Sequence, residues 1–385
     1  MKRILHWTDG FAPIIGGTEI LVLELAKAQR RSGHEVCVVA ESLPNCPDEA
    51  VFDGIPVHRF PFTPTLLNRN LVALRELVDR LVQIRTRFSP HHVHVHFNAA
   101  AAWFERLSRP PGPAPILTVH TAPDSLRLPI PLRRQILRSA GWVVAVSRPH
   151  MAELATFEPS THASLTCIPN GFPVPPPPSE ASLGLPARPF RFAALGRLVE
   201  SKGFQTALDA FAHVHVLHPG ASELHIAGNG TARQGLLAHA HALGAASRHI
   251  AFPGWIPPDN VHSWLQQADV VLVPTPREES FGLVALQAAL AGRPAIASRV
   301  GGLADFVVDK TTGWLVPPSD PLALADRMAA CVQSPETARA LGANARSLAI
   351  DRYSIERCRD DYERLYSSPR PTPVSFPKHE NPLLV

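Results

Sequence analysis

The sequence predicts two α/β domains, each built on a parallel β-sheet that is covered by helices on both faces. Buried strand patterns alternate with helical patterns along the whole chain, which is typical of βαβ units. A proline-rich segment, residues 173–189, interrupts this alternation near the middle. The chain has 385 residues, more than one hydrophobic core usually accommodates, so two domains are expected.

Short apolar segments predict the strands of the two sheets. In the first half they are Arg3 to Trp7, Val36 to Ala40, His92 to His96, Ile116 to His120, Trp142 to Ser147 and Leu165 to Ile168. In the second half they are Phe190 to Gly196, Glu223 to Ala227, His249 to Phe252, Val270 to Val273, Ala295 to Ser298 and Gly313 to Val316. Segments with helical spacing, such as Thr18 to Ser32, lie between them.

These elements predict domains at residues 1–172 and 190–350, joined by the linker 173–189. Proline fixes the backbone and removes an N–H donor, so the linker sequence Pro173-Val-Pro-Pro-Pro-Pro-Ser is neither a helix nor a central strand. Residues 351–366 contain a polar helix, from about Ser354 to Tyr366, that is expected to pack back on the first domain. Residues 367–385 are predicted to be a disordered tail.

Composition predicts a soluble cytoplasmic protein. Hydrophobic residues make up 45% of the chain and charged residues 18%, which is ordinary for a folded α/β protein. No apolar run is long enough to cross a membrane, and the first residues run directly into a strand rather than forming a signal peptide. The five cysteines are scattered without a Cys-x-x-Cys motif, so neither a disulfide framework nor a zinc site is expected.

The positive charge is concentrated in the first half of the chain. Residues 1–172 contain 18 Lys and Arg against 14 Asp and Glu, and the remainder contains 19 against 19. Many of the cations lie in the predicted helix 71–88 and in the segment 133–138: Arg75, Arg80, Arg85, Arg87, Arg133, Arg134 and Arg138. The favoured interpretation is a solvated helix face over an ordinary core stripe, and the alternative is peripheral contact with anionic lipid. Nucleic acid binding is not expected, because basic and aromatic residues do not interleave.

The segment Glu279 to Gln287 places a carboxylate and a glycine turn between a strand and a helix. Asp269 to Pro274 before it is predicted to be a buried parallel strand, and Phe281 to Ala291 is predicted to be a helix rich in Ala and Leu. The N–H groups around Gly282 can bind a diphosphate at the positive end of that helix, and Glu279 can bind sugar hydroxyls. An ordinary turn between strand and helix explains the same pattern, and this segment alone does not separate the two.

Glycine-containing loops also follow the first strand of each half. Gly16-Gly17 opens the first helix, and paired glycines let backbone N–H groups approach an anion. Gly196 to Gly203 carries Arg197 and Lys202, two cations that can bind phosphate oxygens. The alternative for the second loop is a surface turn with ordinary charges.

Histidine, asparagine and glycine residues end other predicted strands. His120, Asn170-Gly171 and Gly301-Gly302 all lie in such loops, although a lone histidine there is commonly just a hydrogen-bonded loop residue. The histidines of the run 91–96 alternate along a strand, and we expect them to divide between its two faces. No metal site is predicted from them, because no cysteine or carboxylate has ligand spacing with them.

The order of these motifs resembles the retaining family-4 glycosyltransferases of the GT-B fold, over about residues 3–366. The motifs are GGTE from Gly16, TVH ending at His120, VS ending at Ser147, IPNG ending at Gly171, GRLVESKG from Gly196, AGNG from Ala227, FPGW ending at Trp255, ESFGLVALQ from Glu279 and VGGLADFV from Val300. Each motif alone is weak evidence, whereas their shared order and spacing are specific.

The resemblance implies a role for each matching position. As catalytic residues it implies His120, Arg197, Lys202 and Glu279. As donor-binding residues it implies Gly16, Gly17, Gly196, Arg197, Lys202, Gly228, Gly230, Trp255, Ile256, Glu279, Phe281, Gly282, Leu283 and Gln287. As acceptor or cleft residues it implies Glu19, His96, Ser147, Asn170 and Gly171.

The resemblance also implies the fold and the reaction. The expected fold is GT-B, two doubly wound Rossmann-like domains facing a central cleft, with the acceptor on the first domain, the nucleotide sugar on the second and a C-terminal crossover helix. The expected reaction is retaining transfer from a nucleoside diphosphate sugar, such as a UDP-sugar, to a glycan, lipid or small-molecule acceptor. It requires no cofactor and no metal, and the chain has no Asp-x-Asp motif of metal-dependent transferases. Cell-surface polysaccharide, glycolipid or glycoconjugate biosynthesis is the expected setting.

Three positions depart from the family pattern. Gln287 stands where the family has a second Glu that holds the ribose, and an amide binds a hydroxyl more weakly, by about 1 kcal/mol. Asp305 stands where the family often has Glu. Phe172 follows the IPNG motif, and the family commonly has an acidic residue two places on. These changes concern the detail of donor or acceptor binding.

Other functions explain less of the sequence. A nicotinamide dehydrogenase would have a third glycine after Gly228-Asn-Gly230 and an acidic residue about 20 positions on, and both are missing. A sugar-nucleotide epimerase of the GT-B fold would not be expected to carry this motif order. A non-catalytic protein that binds sugar nucleotides is suggested by Gln287 alone.

Overall fold

The computed structural model describes residues 1–14, 16–68, 70–97, 100–126, 128–177, 189–277 and 279–369. The chain divides into two compact units. Unit 1 contains Met1–Val146, Met151–Ile168 and the chain from Asp361, and unit 2 contains Ser147–His150 and Pro169–Asp360. The division therefore follows Ile168, a few residues before the predicted position. Most of the predicted linker, residues 178–188, and the tail beyond residue 369 lie outside the described residues.

The sheet of unit 1 has the strand order β3-β4-β2-β1-β5-β6-β7-β8. Its strands are β1 (Arg3–Thr8), β2 (Glu35–Glu41), β3 (Glu49–Phe52), β4 (Ile55–Phe60), β5 (His92–Phe97), β6 (Ile116–Val119), β7 (Trp142–Ala145) and β8 (Leu165–Cys167). Neighbouring strands are parallel except β3 and β4. Alternate residues of β2 enter different apolar clusters, Cys37 in one and Val38 in another, so both faces of the sheet are covered.

The helices of unit 1 occupy the predicted crossover positions. They are α1 (Gly17–Arg31), α2 (Phe62–Leu67), α3 (Leu71–Phe88), α4 (Ala100–Leu107), α5 (Ile130–Arg138) and α6 (Arg148–Phe157), the first residues of α6 belonging to unit 2. Helix α3 has the predicted bounds, and it begins after Asn70, whose side chain accepts hydrogen bonds from the N–H groups of Val72 and Ala73. Leu77 and Leu81 form its buried stripe.

The hairpin of β3 and β4 was not predicted. Its turn is Asp53-Gly54, and both residues have positive φ, 49° and 75°. An Asp-Gly pair between apolar residues is a strong local signal for a two-residue hairpin. The sequence therefore contains the Asp-Gly signal for this hairpin. Strand β4 pairs in parallel with β2 and extends the sheet beyond it.

The sheet of unit 2 is wholly parallel, with the strand order β11-β10-β9-β12-β13-β14. Its strands are β9 (Phe190–Leu195), β10 (Ser222–Ala227), β11 (Ile250–Gly254), β12 (Val270–Val273), β13 (Ala295–Ser298) and β14 (Gly313–Val316). Its helices are α7 (Phe204–Leu217), α8 (Arg233–Ala242), α9 (Pro258–Gln266), α10 (Leu283–Leu290), α11 (Gly301–Phe306), α12 (Pro321–Gln333) and α13 (Pro335–Tyr353). Every predicted strand of this half is present within two residues of its predicted ends.

The last helix, α14 (Ile355–Ser367), begins in unit 2 and ends in unit 1. At its start, Phe172 donates its N–H to the Tyr353 carbonyl, and Ile355 donates to the Phe172 carbonyl, both at 2.9 Å. At its end, the Tyr366 hydroxyl joins the buried polar residues of unit 1. The helix break lies at Ser354, where the terminal helix was expected to begin, and residues 351–353 of the predicted C-terminal segment belong to α13.

Several arginines on which the prediction of a basic surface rests contact other side chains of the protein. Arg85 is buried and forms an ion pair with Glu105 at 2.9 Å, so its assignment to the exposed face of α3 was wrong. Arg138 pairs with Glu158 at 3.0 Å, whereas Arg80 stays exposed with its guanidinium over the Phe60 ring. The basic face is therefore smaller than the number of arginines suggests. Among the described residues, no helix combines the length and the apolar character needed to span a bilayer.

Three histidines lie in the interior of unit 1. His6 on β1 and His94 and His96 on β5 are at most 1% exposed. Burial lowers the pKa of His6 to about 4 and lowers the pKa of His94 and His96 well below the ordinary value. The three side chains are therefore neutral in the folded protein at neutral pH.

These histidines predict that unit 1 loses stability as pH falls. Between about pH 6.5 and 4 the unfolded chain binds protons that the folded chain excludes, so the free energy of unfolding falls by about 1.4 kcal/mol per pH unit for each histidine. Above pH 6.5 this contribution is constant. Urea unfolding at pH 7.5, 6.5 and 5.5 measures the slope, which should be smaller in His6→Gln and unchanged in His162→Gln, an exposed position. Equal slopes in both variants would contradict the assignment.

Candidate functional site

The site in unit 2 lies where the strand order of its sheet changes direction. Strands β9 and β12 are neighbours, while β10 and β11 continue on one side and β13 and β14 on the other. In open α/β sheets, ligands bind at the carboxyl ends of strands beside such a switch point. The loops that follow β9 and β12 contain Lys202 and Glu279, so the topology brings these two predicted residues together.

Lys202 and Glu279 form an ion pair. The Lys202 Nζ donates to Glu279 Oε2 at 2.6 Å, and the two side chains are 32% and 20% exposed. Gly203, the next residue, has a φ of 69°, and a Cβ there would lie 2.0 Å from the Pro274 carbonyl oxygen. The loop after β9 therefore packs directly on the end of β12, which places Lys202 beside Glu279. Arg197 is exposed in the same loop.

The glycines of the loop after β10 serve close backbone packing. A Cβ at Gly228 would lie 1.8 Å from the Gly196 carbonyl oxygen, and one at Gly230 would lie 2.4 Å from the Leu198 carbonyl oxygen. Both residues have positive φ, 136° and 158°. Packing accounts for the glycine at both positions, and the predicted contact of Gly196, Gly228 and Gly230 with the donor stays a prediction.

The loop before α10 is held by the loop after β13. Gly302 donates its N–H to the Glu279 carbonyl at 2.7 Å, and a Cβ at Gly302 would lie 2.4 Å from the Ser280 carbonyl oxygen. Gly282, with a φ of 95°, is the N-cap of α10, so the helix starts at Leu283, two residues later than predicted. The first N–H groups of α10 thus lie next to the Glu279 loop, as an anion site requires.

The side chain of Phe281 is part of the core. It is 5% exposed and packs against Phe306 and Tyr353, with ring centroids 6.3 and 5.9 Å away. The side chain therefore anchors the loop. The predicted contact of Phe281 with the donor would have to be made by its backbone. Of the remaining predicted donor residues, Gln287 and Ile256 are half-buried and Trp255 is 54% exposed.

Ser147 supports the same loop from a different part of the chain. Its Oγ donates to the Ser280 carbonyl at 2.7 Å within unit 2. The next residue, Arg148, donates its N–H to Asp305 Oδ2 at 3.1 Å, so Asp305 caps the start of α6. Asn170 and Gly171 are buried, and a Cβ at Gly171 would lie 2.5 Å from the Ser354 carbonyl oxygen. Gly171 is thus needed for packing at the start of α14.

In unit 1, Glu19 lies against the glycines that precede α1. A Cβ at Gly16 would lie 2.2 Å from Glu19 Oε2, and one at Gly10 would lie 2.4 Å from Oε1. The carboxylate at the third position of α1 is favoured by the positive end of the helix. A diphosphate that contacts Gly16, as predicted, would meet this negative charge, so Glu19 must move when such a ligand binds. Gly17 is exposed.

The predicted residues His96 and His120 belong to a buried chain of histidines. His96 Nδ1 lies 3.0 Å from His120 Nε2, and His96 Nε2 lies 2.9 Å from His6 Nδ1. His6 Nε2 lies 2.6 Å from Gln29 Oε1. The sequence did not single out His6 or Gln29, although residue 6 on β1 is paired with His94 on the neighbouring strand.

The prediction that the histidines of β5 divide between two faces was wrong. His94 and His96 are two residues apart and therefore share a face, with ring centroids 4.3 Å apart. Together with His6, their ligand atoms lie within 4.8 Å of one another, close enough for a metal ion. Each ring nitrogen of the three, however, already has a hydrogen-bond partner.

Each half of the chain matches the model of a known protein family. Residues 15–175 match the family described as Glycosyltransferase Family 4, and residues 178–348 match Glycosyl transferases group 1. A D-inositol 3-phosphate glycosyltransferase of Xylanimonas cellulosilytica is 31% identical over 373 residues, covering 86% of this chain and 87% of that protein. A 2-deoxystreptamine N-acetyl-D-glucosaminyltransferase of Streptomyces fradiae is 28% identical, covering 90% of each chain.

Solved structures share the fold. A sucrose-phosphate synthase from Thermosynechococcus elongatus superimposes with a TM-score of 0.80 at 23% identity, covering 95% of this chain and 98% of that one. Anabaena HepE, in complex with UDP and glucose, gives a TM-score of 0.78 at 19% identity, covering 96% and 100%. The predicted fold class, GT-B with two Rossmann-like domains, is confirmed.

The packing of Gly228 predicts a large loss of stability on substitution. Gly228→Ala places a Cβ against the Gly196 carbonyl in a backbone conformation that disfavours side chains, so we expect the melting temperature to fall by several degrees. The matched control is Gly235→Ala in α8, where a Cβ meets nothing within 4 Å. That change should be neutral or stabilise by up to about 1 kcal/mol. Equal melting temperatures for the two variants would refute the packing role.

Proposed function

Because the chain belongs to the family-4 glycosyltransferases, glycosyl transferases group 1, we propose that this enzyme transfers a sugar from a nucleoside diphosphate sugar to an acceptor with retention at the anomeric carbon. The observation that carries the proposal is the ion pair of Lys202 and Glu279 at the switch point of the unit 2 sheet, beside the start of α10. A cation, a carboxylate and helix N–H groups at one place match a ligand that has both phosphates and sugar hydroxyls.

Donor binding would exchange the partners of this ion pair. Lys202 turns to the diphosphate, and Glu279 then accepts hydrogen bonds from sugar hydroxyls. Partly exposed ion pairs contribute only about 0–1 kcal/mol, so breaking this one opposes donor binding little. The unliganded protein thus keeps both charges compensated until the donor supplies new partners.

Cleavage of the anomeric bond develops an oxocarbenium ion and a diphosphate leaving group. Lys202, Arg197 and the N–H groups at the start of α10 would stabilise the growing negative charge, which is the largest requirement of such a step. The leaving phosphate would take the proton of the acceptor hydroxyl on the same face of the sugar, so the step needs neither a separate base nor a metal ion. His120 would contact the transferred sugar.

We propose a UDP-sugar as the donor. Support comes from Anabaena HepE, whose structures contain UDP, UDP with glucose, and UDP-glucose. For the acceptor we propose a glycan, a lipid or a small molecule, and the names of two relatives, a D-inositol 3-phosphate glycosyltransferase and a 2-deoxystreptamine N-acetyl-D-glucosaminyltransferase, support the small molecule. The proposed setting is cell-surface polysaccharide, glycolipid or glycoconjugate synthesis in the cytoplasm. The alternatives are a non-catalytic sugar-nucleotide binding protein, suggested by Gln287, and a GT-B epimerase.

Nucleotide binding through Lys202 predicts a thermal shift. At about a hundred times its dissociation constant, the correct nucleotide among UDP, GDP, ADP and TDP should stabilise the protein by about 2.7 kcal/mol, or a few degrees. Lys202→Ala removes the cation and should abolish that shift while the unliganded protein still folds. The measurement is a melting curve for each nucleotide.

Arg248→Ala is the matched control, because it removes an exposed cation of unit 2 just before β11, at the opposite end of the strands. It should keep the full shift. A shift that survives in Lys202→Ala would remove Lys202 from the site. No shift with any nucleotide in the wild-type protein would contradict the donor proposal.

We also propose peripheral contact with the inner face of the membrane through the start of α3. Leu67, Leu71 and Val72 are 75%, 67% and 67% exposed, and Arg75 and Arg87 are exposed on the same helix. Apolar and basic side chains together favour anionic lipid surfaces. The buried ion pair of Arg85 with Glu105 leaves one cation fewer for lipid than the sequence suggests.

Sedimentation with anionic vesicles tests this contact. The wild-type protein should pellet with them at low salt and be released by added salt, because exposed charges are screened. Leu71→Ser with Val72→Ser should remain in the supernatant. Val216→Ser with Leu217→Ser, equally apolar and exposed positions of unit 2, should pellet like wild type. No salt-sensitive pelleting of the wild-type protein would end the proposal.

A further inference from the structure

We propose that Ser147 is a positioning residue for the donor site, because its hydroxyl sets the direction of the Phe281 N–H group. In that direction the N–H group is available to a phosphate oxygen of the nucleoside diphosphate. The positioning concerns unit 2 alone, and the contact with phosphate rests on the function proposed above.

Ser147 lies directly before α6 and caps its first turn. The side chain is 2% exposed, and its Oγ accepts the N–H of His150, the third residue of the helix, at 3.3 Å. The hydroxyl proton is left for another acceptor, and Oγ donates it to the Ser280 carbonyl at 2.7 Å. One side chain thus holds both the start of α6 and a peptide group of the loop before α10.

Two consecutive carbonyl groups of this loop have hydrogen-bond donors. The Glu279 carbonyl accepts the Gly302 N–H at 2.7 Å, and the Ser280 carbonyl accepts the Ser147 hydroxyl. A trans peptide group directs its C=O and its N–H in opposite directions. The N–H of Ser280 therefore points away from Gly302, and the N–H of Phe281 points away from Ser147.

The N–H groups of Ser280 and Phe281 have no hydrogen-bond acceptor in the part of the chain that the structure describes. Phe281 is only 5% exposed, and the N–H of a buried residue rarely lacks an acceptor. The next residues, Gly282 and Leu283, open α10, and the first N–H groups of a helix have no partner within it. A run of adjacent N–H groups without acceptors fits an anion.

The Ser280–Phe281 peptide group is the part of the loop that Ser147 controls. The Phe281 side chain is already anchored in the core against Phe306 and Tyr353. A peptide group between anchored residues can still rotate about the single bonds that flank it, and a rotation exchanges the directions of its C=O and N–H. The hydrogen bond from Ser147 favours the observed orientation, because rotation would separate the Ser280 carbonyl from its donor.

Hydrogen exchange of the full-length protein tests the positioning without any ligand. The Gly302 N–H reports on the loop through its bond to Glu279, and Ser147→Ala should raise its exchange rate by up to about tenfold, the value of one neutral hydrogen bond. The matched control is Ser222→Ala at the start of β10. Ser222 is 1% exposed, and its Oγ has no hydrogen-bond partner among the described residues, so the Gly302 rate should not change. Equal Gly302 rates in the two variants would overturn the proposal.

The dissociation constants of UDP and uridine, the second measured by competition, test the contact with phosphate. If a different nucleotide gives the thermal shift, that nucleotide and its nucleoside take their place. Ser147→Ala should weaken UDP binding by about tenfold or more, the value of a hydrogen bond to a charged group, and uridine binding by less than about twofold. A general loss of stability would weaken both ligands alike. An unchanged ratio of the two dissociation constants would overturn the proposal.

Ser147→Cys provides a graded variant. Cysteine has nearly the shape of serine, but its thiol is a weaker hydrogen-bond donor. Both effects should therefore have the same direction as in Ser147→Ala and a smaller size. If Ser147→Ala is too unstable to measure, Ser147→Cys decides, and wild-type Gly302 exchange with a wild-type ratio of dissociation constants would contradict the role of Ser147.

The two proposals fail in different ways. If the wild-type protein binds no nucleotide, the proposed function and the contact with phosphate are both wrong, and hydrogen exchange still decides whether Ser147 positions the loop. If nucleotide binding depends on Lys202 but Ser147→Ala changes neither the exchange of Gly302 nor the binding of UDP, the function stands and the positioning proposal is wrong.

Discussion

The pairing of β9 with β12 determines where the charged residues of unit 2 meet. These strands are separated by a long stretch of chain, yet they lie side by side because β10 and β11 extend the sheet in the other direction. Their loops consequently share one edge, and Lys202 reaches Glu279 at 2.6 Å. Without this neighbour relation, the two motifs would be ordinary loops on opposite parts of a sheet.

Close backbone packing maintains this arrangement. Gly203 lies against Pro274, Gly228 against Gly196, and Gly302 against Ser280, in each case at a distance that no side chain permits. These glycines connect the loops to one another more than they line a phosphate site. Glycine-rich motifs at strand ends can therefore be required for the geometry of a site even where the glycine itself touches no ligand.

Unit 1 uses buried polar groups for a related purpose. Its sheet contains neutral histidines where apolar side chains would be more usual, and they connect α1 through Gln29, and α14 through Tyr366, to His120 at the end of β6. Such a buried polar network restricts how these elements pack, because a displaced side chain would leave a buried group without its hydrogen-bond partner. The acid sensitivity expected of these histidines follows from the same burial.

The sequence by itself determined the two-domain α/β architecture, nearly all strands and the charged residues that meet at the switch point of the unit 2 sheet. Short apolar strand segments, helical stripes and proline are local signals, and Lys202, Glu279 and Gly282 follow strands whose ends can be predicted from the sequence. The hairpin at Asp53-Gly54 was also readable and was missed. Only the tertiary structure decided which partners the side chains have. It buried Arg85 against Glu105, placed Phe281 in the core, and aligned His6 and Gln29 with His96. Local patterns fix the conformation of a segment, whereas strand order and packing decide which distant residues meet.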